Sequence, residues 1–358
     1  MSRNATPHGD SRALRAAYES IDANTTADTW LVAAKCKGLM AGYNHRWHDE
    51  QQGITLQTTE RTIESDLRNP DTTRPSRTYT LAGKLDKVVA GPLLYDHKTT
   101  SSDLSADSPY WQQLAIESQV SHYELMLWML GEKIERAVWD VVRKPGISPR
   151  KLTKKEVARI VLDGTYFGSE INPAARVLVA GLKQERESKS LYQIRLAAEV
   201  IANPDRYFAR RVVPRTDDDL VEYAKELWAI ASDMRVCRAN DTHYRNPGAC
   251  MNYGRPCQFL GICSGYDRPD SHNWKEKCDV HSELPDISDG RDVITNSRAR
   301  CFQTCRRKHY YKYELGIERI DAEDAEAIYF GNVWHAAMDA WWAACNNERE
   351  DDGNKNEA

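Results

Sequence analysis

Two carboxylates and a lysine lie close together in the stretch TYTLAGKLDKVVAGPLLYDHKTT, from Thr78 to Thr100. Asp96 and Lys98 are two residues apart, so a β-strand would place both side chains on one face. Asp86 lies on the preceding predicted strand and could reach the same point. Two carboxylates hold Mg²⁺ or Mn²⁺ through oxygen ligands, and a neighbouring ammonium can orient and help deprotonate a water. These groups could cut a phosphodiester bond, although an Asp-x-Lys pair on a strand is more often a solvated surface pair.

Two predicted strands must hold these side chains, and a third would add another carboxylate. Residues 79–89 and 93–99 are rich in Thr, Leu and Val and flank a Gly-Pro turn, which predicts a hairpin. Residues 53–67 predict a strand that carries Glu60 toward this hairpin.

Predicted helices surround the hairpin in the sequence. Residues 11–48 predict two helices with a polar break, and residues 108–131 predict one long helix. Gln119 and Tyr123 are four residues apart on that long helix and therefore share a face. An ordinary polar helix edge would show the same spacing.

Two pairs of adjacent cations are candidates for phosphate contacts. Arg143 and Lys144 follow the predicted strand AVWDVV, and Arg210 and Arg211 lie in a basic turn between predicted helices. Such cations can bind phosphates. Their default role is a solvated surface.

Three cysteines lie in a glycine-rich segment with little regular periodicity. Cys250, Cys257 and Cys263 are hard to explain as core residues there, and the pattern favours metal or cluster ligation. A fourth ligand is required. The candidates are Cys237, Cys278, Cys301 and Cys305.

The composition favours a soluble, cytoplasmic protein. No apolar run approaches the length of a membrane span, and no signal peptide is recognisable. Nine cysteines without a secretion signal favour metal ligation in a reducing compartment over disulfides. A net charge of −4 gives no global signal for nucleic acid, so such contacts would depend on local basic clusters.

At 358 residues, the chain can form one large or two modest domains. Changes in composition divide it into seven segments. They are a disordered head (1–10), a core with the hairpin (11–149), a charged helical region (150–236), the cysteine loop (237–265), a polar linker (266–292), a second ordered helical segment (293–345) and a disordered tail (346–358).

Taken together, the motifs resemble the RecB-type branch of the PD-(D/E)xK nuclease superfamily, and most closely its phage-encoded exonuclease-like members with an iron-sulfur cluster. The matching pieces are GKLDKV with Asp86, YDHKT with Asp96 and Lys98, QVSHY, DVVRKP and the cysteine loop. SRARCFQTCRRKHYYKYELG is similar to the family's opening helix, and FGNVWH is similar to its FGxxxH helix.

The resemblance implies an α/β fold with a restriction-endonuclease-like core, in which helices flank a small mixed sheet. A helical region and a cysteine-ligated cluster loop would be added to that core. Asp86, Asp96 and His335 would bind the metal, and Lys98 would be the catalytic lysine. The remaining implied site residues are Gln119 and Tyr123, which would position DNA or the active-site face, and Glu60, an acidic helper.

Cys305 would join Cys250, Cys257 and Cys263 in a structural [4Fe–4S] cluster, with zinc as the alternative metal. The implied phosphate contacts are Arg143, Lys144, Arg210, Arg211, Arg306 and Arg307.

The implied activity is that of a Mg²⁺- or Mn²⁺-dependent deoxyribonuclease that hydrolyses DNA ends during phage DNA recombination, repair or processing. A helicase or recombinase would be a fitting partner. Two alternatives stay open: a DNA-binding module with a structural metal and no catalysis, and a site-specific endonuclease of the same superfamily.

The order of the motifs differs from that of the family. The cysteine-bearing helix and the FGxxxH helix come first in the family, but here they follow the linker. A circular permutation would explain this order and would require residues 293–345 to fold back onto the hairpin. Exchange of this segment between two chains is the alternative.

Overall fold

The computed structural model describes residues 11–52, 54–181, 186–252, 254–281, 284, 290–321 and 326–356. The predicted disordered head lies outside these residues. The helices are α1 (Arg12–Ala23), α2 (Trp30–Gln52), α3 (Pro109–Ala115), α4 (Ser118–Met129), α5 (Lys154–Asp163), α6 (Pro173–Gly181), α7 (Lys189–Ala202), α8 (Pro204–Tyr207), α9 (Asp217–Ala239), α10 (Leu260–Ser264), α11 (Asn296–Thr304), α12 (Arg306–His309) and α13 (Glu326–Asn356). A 3₁₀ turn spans Pro247–Ala249, and a π turn spans Tyr310–Glu314.

The strands are β1 (Leu56–Arg68), β2 (Pro75–Val89), β3 (Leu93–Thr100), β4 (Arg136–Arg143), β5 (Thr165–Tyr166), β6 (Ser169–Glu170), β7 (Phe208–Val213), β8 (Met251–Asn252), β9 (Arg255–Pro256), β10 (Trp274–Glu276), β11 (Asp292–Ile294) and β12 (Ile317–Arg319). The predicted hairpin is confirmed as β2 and β3. Gly91, at a φ of 95°, makes its tight turn possible.

A mixed sheet of six strands forms the centre of the molecule. Its order is β1-β2-β3-β4-β7, and β11 pairs with β2. The pairs β3–β4 and β11–β2 are parallel, whereas β1–β2, β2–β3 and β4–β7 are antiparallel. This α/β architecture is consistent with the predicted fold.

Helices cover both faces of the sheet. Residues of α3, α4, α9 and α11 pack on one face, and residues of α1, α2, α7 and α13 pack on the other. The core under α13 includes Trp334, Trp341 and Trp342, none of which is more than 1% exposed. The C-terminal segment is therefore part of the chain's own core.

The two ends of the described chain lie side by side. Ser20 Oγ donates a hydrogen bond to the carbonyl of Ala336 at 3.0 Å, and the Tyr329 hydroxyl donates to the carbonyl of Asn24 at 2.8 Å. These contacts make α1 antiparallel to α13. The start of α1 consequently lies near the part of α13 that holds Trp341.

Local structure departs from the sequence predictions in three places. The predicted helix over 108–131 is divided at Ile116 and Glu117 into α3 and α4, which bury different side chains. The predicted linker contains β10, because Trp274 stacks on Phe259 of the cysteine loop at 5.3 Å between ring centroids. Helix α13 continues to Asn356, where the sequence predicted a disordered tail. No described helix is long and apolar enough to cross a membrane.

Candidate active site

Strands β2 and β3 separate next to the residues of the hairpin that could bind a metal, Asp86 and Asp96. Their ladder covers only Lys87 to Val89 against Leu93 to Tyr95. Beyond this ladder, the carboxylate of Asp86 accepts a hydrogen bond from the backbone N–H of His97 at 2.7 Å. A side chain thus replaces a backbone partner, so Asp86 is fixed at the opening between the strands.

Lys98 is held from three sides. Its ammonium is 2.6 Å from Asp96 Oδ2, donates to Gln119 Oε1 at 2.6 Å, and lies 5.1 Å from the centroid of the Trp139 ring. Gln119 in turn donates through Nε2 to the Tyr123 hydroxyl at 2.9 Å. The predicted helical pair on α4 therefore joins the predicted lysine in one polar chain.

Asp86, Glu60 and His335 form a separate group. One ligand atom from each of these three residues lies within 4.8 Å of the others. Asp86 Oδ1 is 3.7 Å from Nδ1 of His335 in the same chain. This distance agrees with the version of the permutation in which the C-terminal segment folds back within one chain.

The register of β1 against β2 places the two carboxylates of this group opposite each other. Thr59 pairs with Lys87 and Arg61 pairs with Leu85, so Glu60 lies across from Asp86. Like charges in opposite positions destabilise a sheet. Lys84, 2.5 Å from Glu60 Oε2, offsets part of that repulsion. Glu60 also has a φ of 48°, which a residue with a side chain adopts at a cost in free energy.

The electrostatics of the site fit a divalent cation. Burial, and then the neighbouring charge of Asp96, raises the pKa of Asp86 above its usual range. Burial lowers the pKa of His335, which favours the neutral imidazole that ligates metals. Asp96 is 1% exposed; Lys98 is the ionic partner of its Oδ2 at 2.6 Å, and its Oδ1 accepts no hydrogen bond from a described residue. A cation would compensate these buried groups.

Helix α13 brings His335 to this point from the far end of the chain. Trp334, fully buried, anchors the helix, and an added Cβ at Gly331 would lie 3.7 Å from Thr99 Oγ1 of β3. The helix thus packs closely against the strand that carries Asp96 and Lys98. The ring of His335 also contacts that of His97, at 6.1 Å between centroids.

The sequence assigned the third metal-binding position differently. It placed Asp96 with Asp86 and His335, whereas the 4.8 Å group contains Glu60, and Asp96 pairs with Lys98. Lys84 and the amide of His97 were not singled out. The GKLDK sequence offers a signal for Lys84, because it is two residues from Asp86 on the same strand.

The four cysteines of the predicted cluster line one small pocket. Cys250, Cys257, Cys263 and Cys305 surround it together with Arg245 and Asn246, among others. No three of these described thiols belong to a group within 4.8 Å. Tetrahedral zinc with bonds of about 2.3 Å would require closer thiols. The ligation itself stays a prediction.

Aromatic packing joins the cysteine loop to the segment that carries Cys305. Phe259 contacts Trp274 and Tyr311, with ring centroids 5.3 and 5.4 Å apart. Asn246 donates a hydrogen bond to the carbonyl of Thr304 at 2.8 Å. The loop is thereby held against residues that lie next to Cys305.

The predicted phosphate contacts have different surroundings. Arg210 is 10% exposed, and its guanidinium pairs with the buried Asp140 at 3.4 Å and with the exposed Glu50 at 2.8 Å. Its charge is therefore used in the fold. Arg211 donates to the carbonyl of Ala106 at 2.9 Å, Arg306 pairs with Asp233 at 3.2 Å, and Arg307 donates to the carbonyl of His243.

Arg143 and Lys144 border an open cavity. Arg143 pairs with Asp103 at 3.3 Å, and Lys144 donates to the carbonyl of Ala327 at 2.9 Å. Of the six predicted contacts, these two are the ones that line this cavity.

Comparison with known families relates the C-terminal segment of the chain to one superfamily. Residues 293–358 match the family model of the PD-(D/E)XK nuclease superfamily. The match begins at the residue where the sequence resemblance placed the family's opening motifs, and it contains His335. Comparisons with curated proteins and with solved structures gave no match. The match covers 66 of the 358 residues and supports a relation of this segment to the PD-(D/E)XK superfamily, whose members are metal-dependent nucleases.

Proposed function

We propose that this protein is a Mg²⁺- or Mn²⁺-dependent deoxyribonuclease that hydrolyses phosphodiester bonds at DNA ends. One observation carries the proposal. The hairpin acids, the lysine chain and His335 meet in one place, although they come from opposite ends of the sequence.

Each group has a role in that reaction. Glu60, Asp86 and His335 would hold the cation, with Asp96 beside them, and the cation would polarise the phosphate and lower the pKa of a bound water. Lys98 would orient that water and stabilise negative charge on the phosphate. Gln119 and Tyr123 would keep the ammonium of Lys98 in position. Carboxylate and water ligands suit both Mg²⁺ and Mn²⁺, so either ion should support the reaction.

The cysteines would have a structural role. A [4Fe–4S] cluster on Cys250, Cys257, Cys263 and Cys305 would fasten the cysteine loop to the start of the C-terminal segment, and its binding would be coupled to folding. Zinc on the same four thiolates is the alternative. Phage DNA recombination or repair, with a helicase or recombinase as partner, would suit an enzyme that acts on ends.

The decisive experiment is cleavage of labelled linear DNA in Mn²⁺ by the Lys98→Ala variant. We expect kcat to fall at least about 100-fold, as for loss of a group that stabilises charge in the transition state. Lys275→Ala is a matched control, since Lys275 also belongs to a strand and pairs with a carboxylate, Glu318, at 3.2 Å. Unchanged cleavage by Lys98→Ala would refute the catalytic assignment and favour the non-catalytic DNA-binding module.

The choice of substrate separates the exonuclease from the second candidate. An exonuclease should degrade linear DNA and leave closed circles intact. Cutting of closed circular DNA at a fixed sequence would instead establish a site-specific endonuclease.

A further inference from the structure

A basic cavity of about 730 Å³ opens beside the candidate active site. Five cationic side chains line it, namely Lys35, Arg143, Lys144, Arg206 and Arg255. Glu326 is the one carboxylate among the described residues that line this basic cavity. A cavity with such an excess of positive charge favours an anionic ligand.

Among the described residues, three of these cations pair with no carboxylate: Lys144, which donates to the carbonyl of Ala327, and Lys35 and Arg255. Arg143 pairs with Asp103 at 3.3 Å, and Arg206 pairs with Glu199 at 3.4 Å. In contrast, no carboxylate of the described part of the chain pairs with Lys35 or Arg255. Their charges are available to a ligand.

The basic cavity is lined by residues from several separate parts of the fold. Lys35 belongs to α2, Arg143 ends β4, and Phe330 belongs to the first turns of α13. Arg255 lies on β9, which pairs with β8 in the short hairpin between Cys250 and Cys257. The backbone N–H of Cys257 donates to the carbonyl of Cys250 at 2.8 Å and closes this hairpin. The cysteine loop therefore supplies one wall of the cavity.

The basic cavity and the metal group share two elements. Ser101, in the cavity wall, follows Lys98 by three residues, which corresponds to roughly 10 Å along an extended strand. Phe330 precedes His335 by five residues, or about 7.5 Å along α13. Successive phosphates of one DNA strand are about 3.4 Å apart along the duplex axis. A strand bound in the cavity would thus reach the metal group within a few nucleotides.

We propose that the basic cavity binds the phosphodiester backbone of a single nucleic-acid strand, with Lys35 and Arg255 as direct phosphate contacts. The proposal rests on the proposed function, since the strand that it holds is the substrate of the metal group. Phe330 and Tyr207 also line the cavity, but they are 3% and 2% exposed, so the strand would be held through its phosphates and not by stacking on these rings. At about 730 Å³ the open cavity is too small to take in a duplex, so it would hold one strand.

Binding of a fluorescein-labelled oligodeoxynucleotide of about 20 nucleotides, followed by anisotropy in EDTA, tests the proposal without cleavage. Each lost phosphate contact should reduce the slope of log K against log salt by about 0.7 for a single strand. The Lys35→Gln, Arg255→Gln double variant should therefore lose about 1.4 from the slope. Its affinity should fall about fivefold per contact at about 0.1 M salt.

Lys225→Gln is the matched control, since Lys225 is an exposed cation on α9, on the opposite face of the sheet. Arg255→Lys keeps the charge and should retain the wild-type slope. A double variant that binds like Lys225→Gln would overturn the proposal. Loss of binding in Arg255→Lys equal to that in Arg255→Gln would also overturn it, because the effect would then be structural.

The binding and cleavage experiments distinguish failure of this proposal from failure of the nuclease assignment. If Lys98→Ala still cleaves DNA but the double variant loses the salt slope, the proposed catalytic function fails and the binding site stands. If Lys98→Ala loses cleavage while the double variant binds normally, the proposed catalytic function stands and the binding site fails.

Discussion

Gly83 packs against Tyr123, which lies at the end of the hydrogen-bonded chain that holds Lys98. A Cβ at Gly83 would lie 2.7 Å from Tyr123 Cε1 and 3.1 Å from Cδ1. Carbon atoms reach their best separation at about 3.5 Å or more, so Gly83→Ala must move the ring by about 0.8 Å. The Tyr123 hydroxyl accepts from Gln119, and Gln119 accepts from Lys98. The shift is therefore passed to the ammonium.

Misplacement of a catalytic group by about 1 Å can lower the rate about 100-fold. We expect Gly83→Ala to lower kcat on linear DNA by about 10- to 100-fold with a smaller change in KM, because ground-state binding does not depend on Lys98. Overpacking should also cost about 1–3 kcal/mol of unfolding free energy. Both effects can be measured by steady-state cleavage in Mn²⁺ and by urea unfolding.

Gly331→Ala is the control for the glycine change itself. Its Cβ would meet Thr99 Oγ1 at 3.7 Å, an ordinary contact, and alanine stabilises a helix relative to glycine by about 0.5–1 kcal/mol. Gly331→Ala should keep activity and stability. Wild-type kcat in Gly83→Ala would refute the view that the Tyr123–Gln119 chain positions Lys98.

Three further predictions concern the metal, the cysteines and the order of the chain. Burial and the charge of Asp96 raise the pKa of Asp86 in the folded, metal-free protein, which therefore keeps a proton that the unfolded chain releases. The free energy of unfolding should consequently fall as the pH rises from about 4 through the pKa of Asp86 in the folded protein. Mn²⁺ should therefore raise Tm more at pH 8 than at pH 6. Asp86→Asn should raise the Tm of the metal-free protein at pH 8 and abolish the effect of Mn²⁺ on Tm. An equal increase in Tm with Mn²⁺ at both pH values would contradict this linkage. Cys250→Ser should remove the brown colour and broad visible absorbance of anaerobically purified protein and should lower its Tm. Cys36→Ser, which changes a buried cysteine of α2, is the control and should keep the absorbance. A colourless wild-type protein that contains zinc would refute the iron-sulfur cluster. A rearranged chain that starts near residue 290 and joins Cys345 to Ser11 through a short linker should fold and cleave DNA, because α1 and α13 are antiparallel neighbours. A soluble, folded but inactive product would count against the permutation.

Local pattern determined the pieces of this protein. Strands rich in Thr, Leu and Val around a Gly-Pro turn predicted the β2–β3 hairpin. Asp96 and Lys98 are two residues apart, which predicted that their side chains share one face of the strand. Gln119 and Tyr123 are four residues apart in a helix, which predicted that their side chains lie next to each other. These features depend on backbone geometry that repeats over a few residues, so a sequence contains them directly.

The tertiary structure decided which pieces meet. Glu60 joins Asp86 because the β1–β2 register sets them opposite each other, and register depends on packing over the whole sheet. His335 joins them because the buried tryptophans of α13 bind this helix to the core. Arg210 carried the same local signal as Arg143, but the fold turned it inward to Asp140, whereas Arg255 reached the basic cavity from the cysteine loop. A charge has no period in the sequence, so its destination is fixed only by the packing of the elements around it.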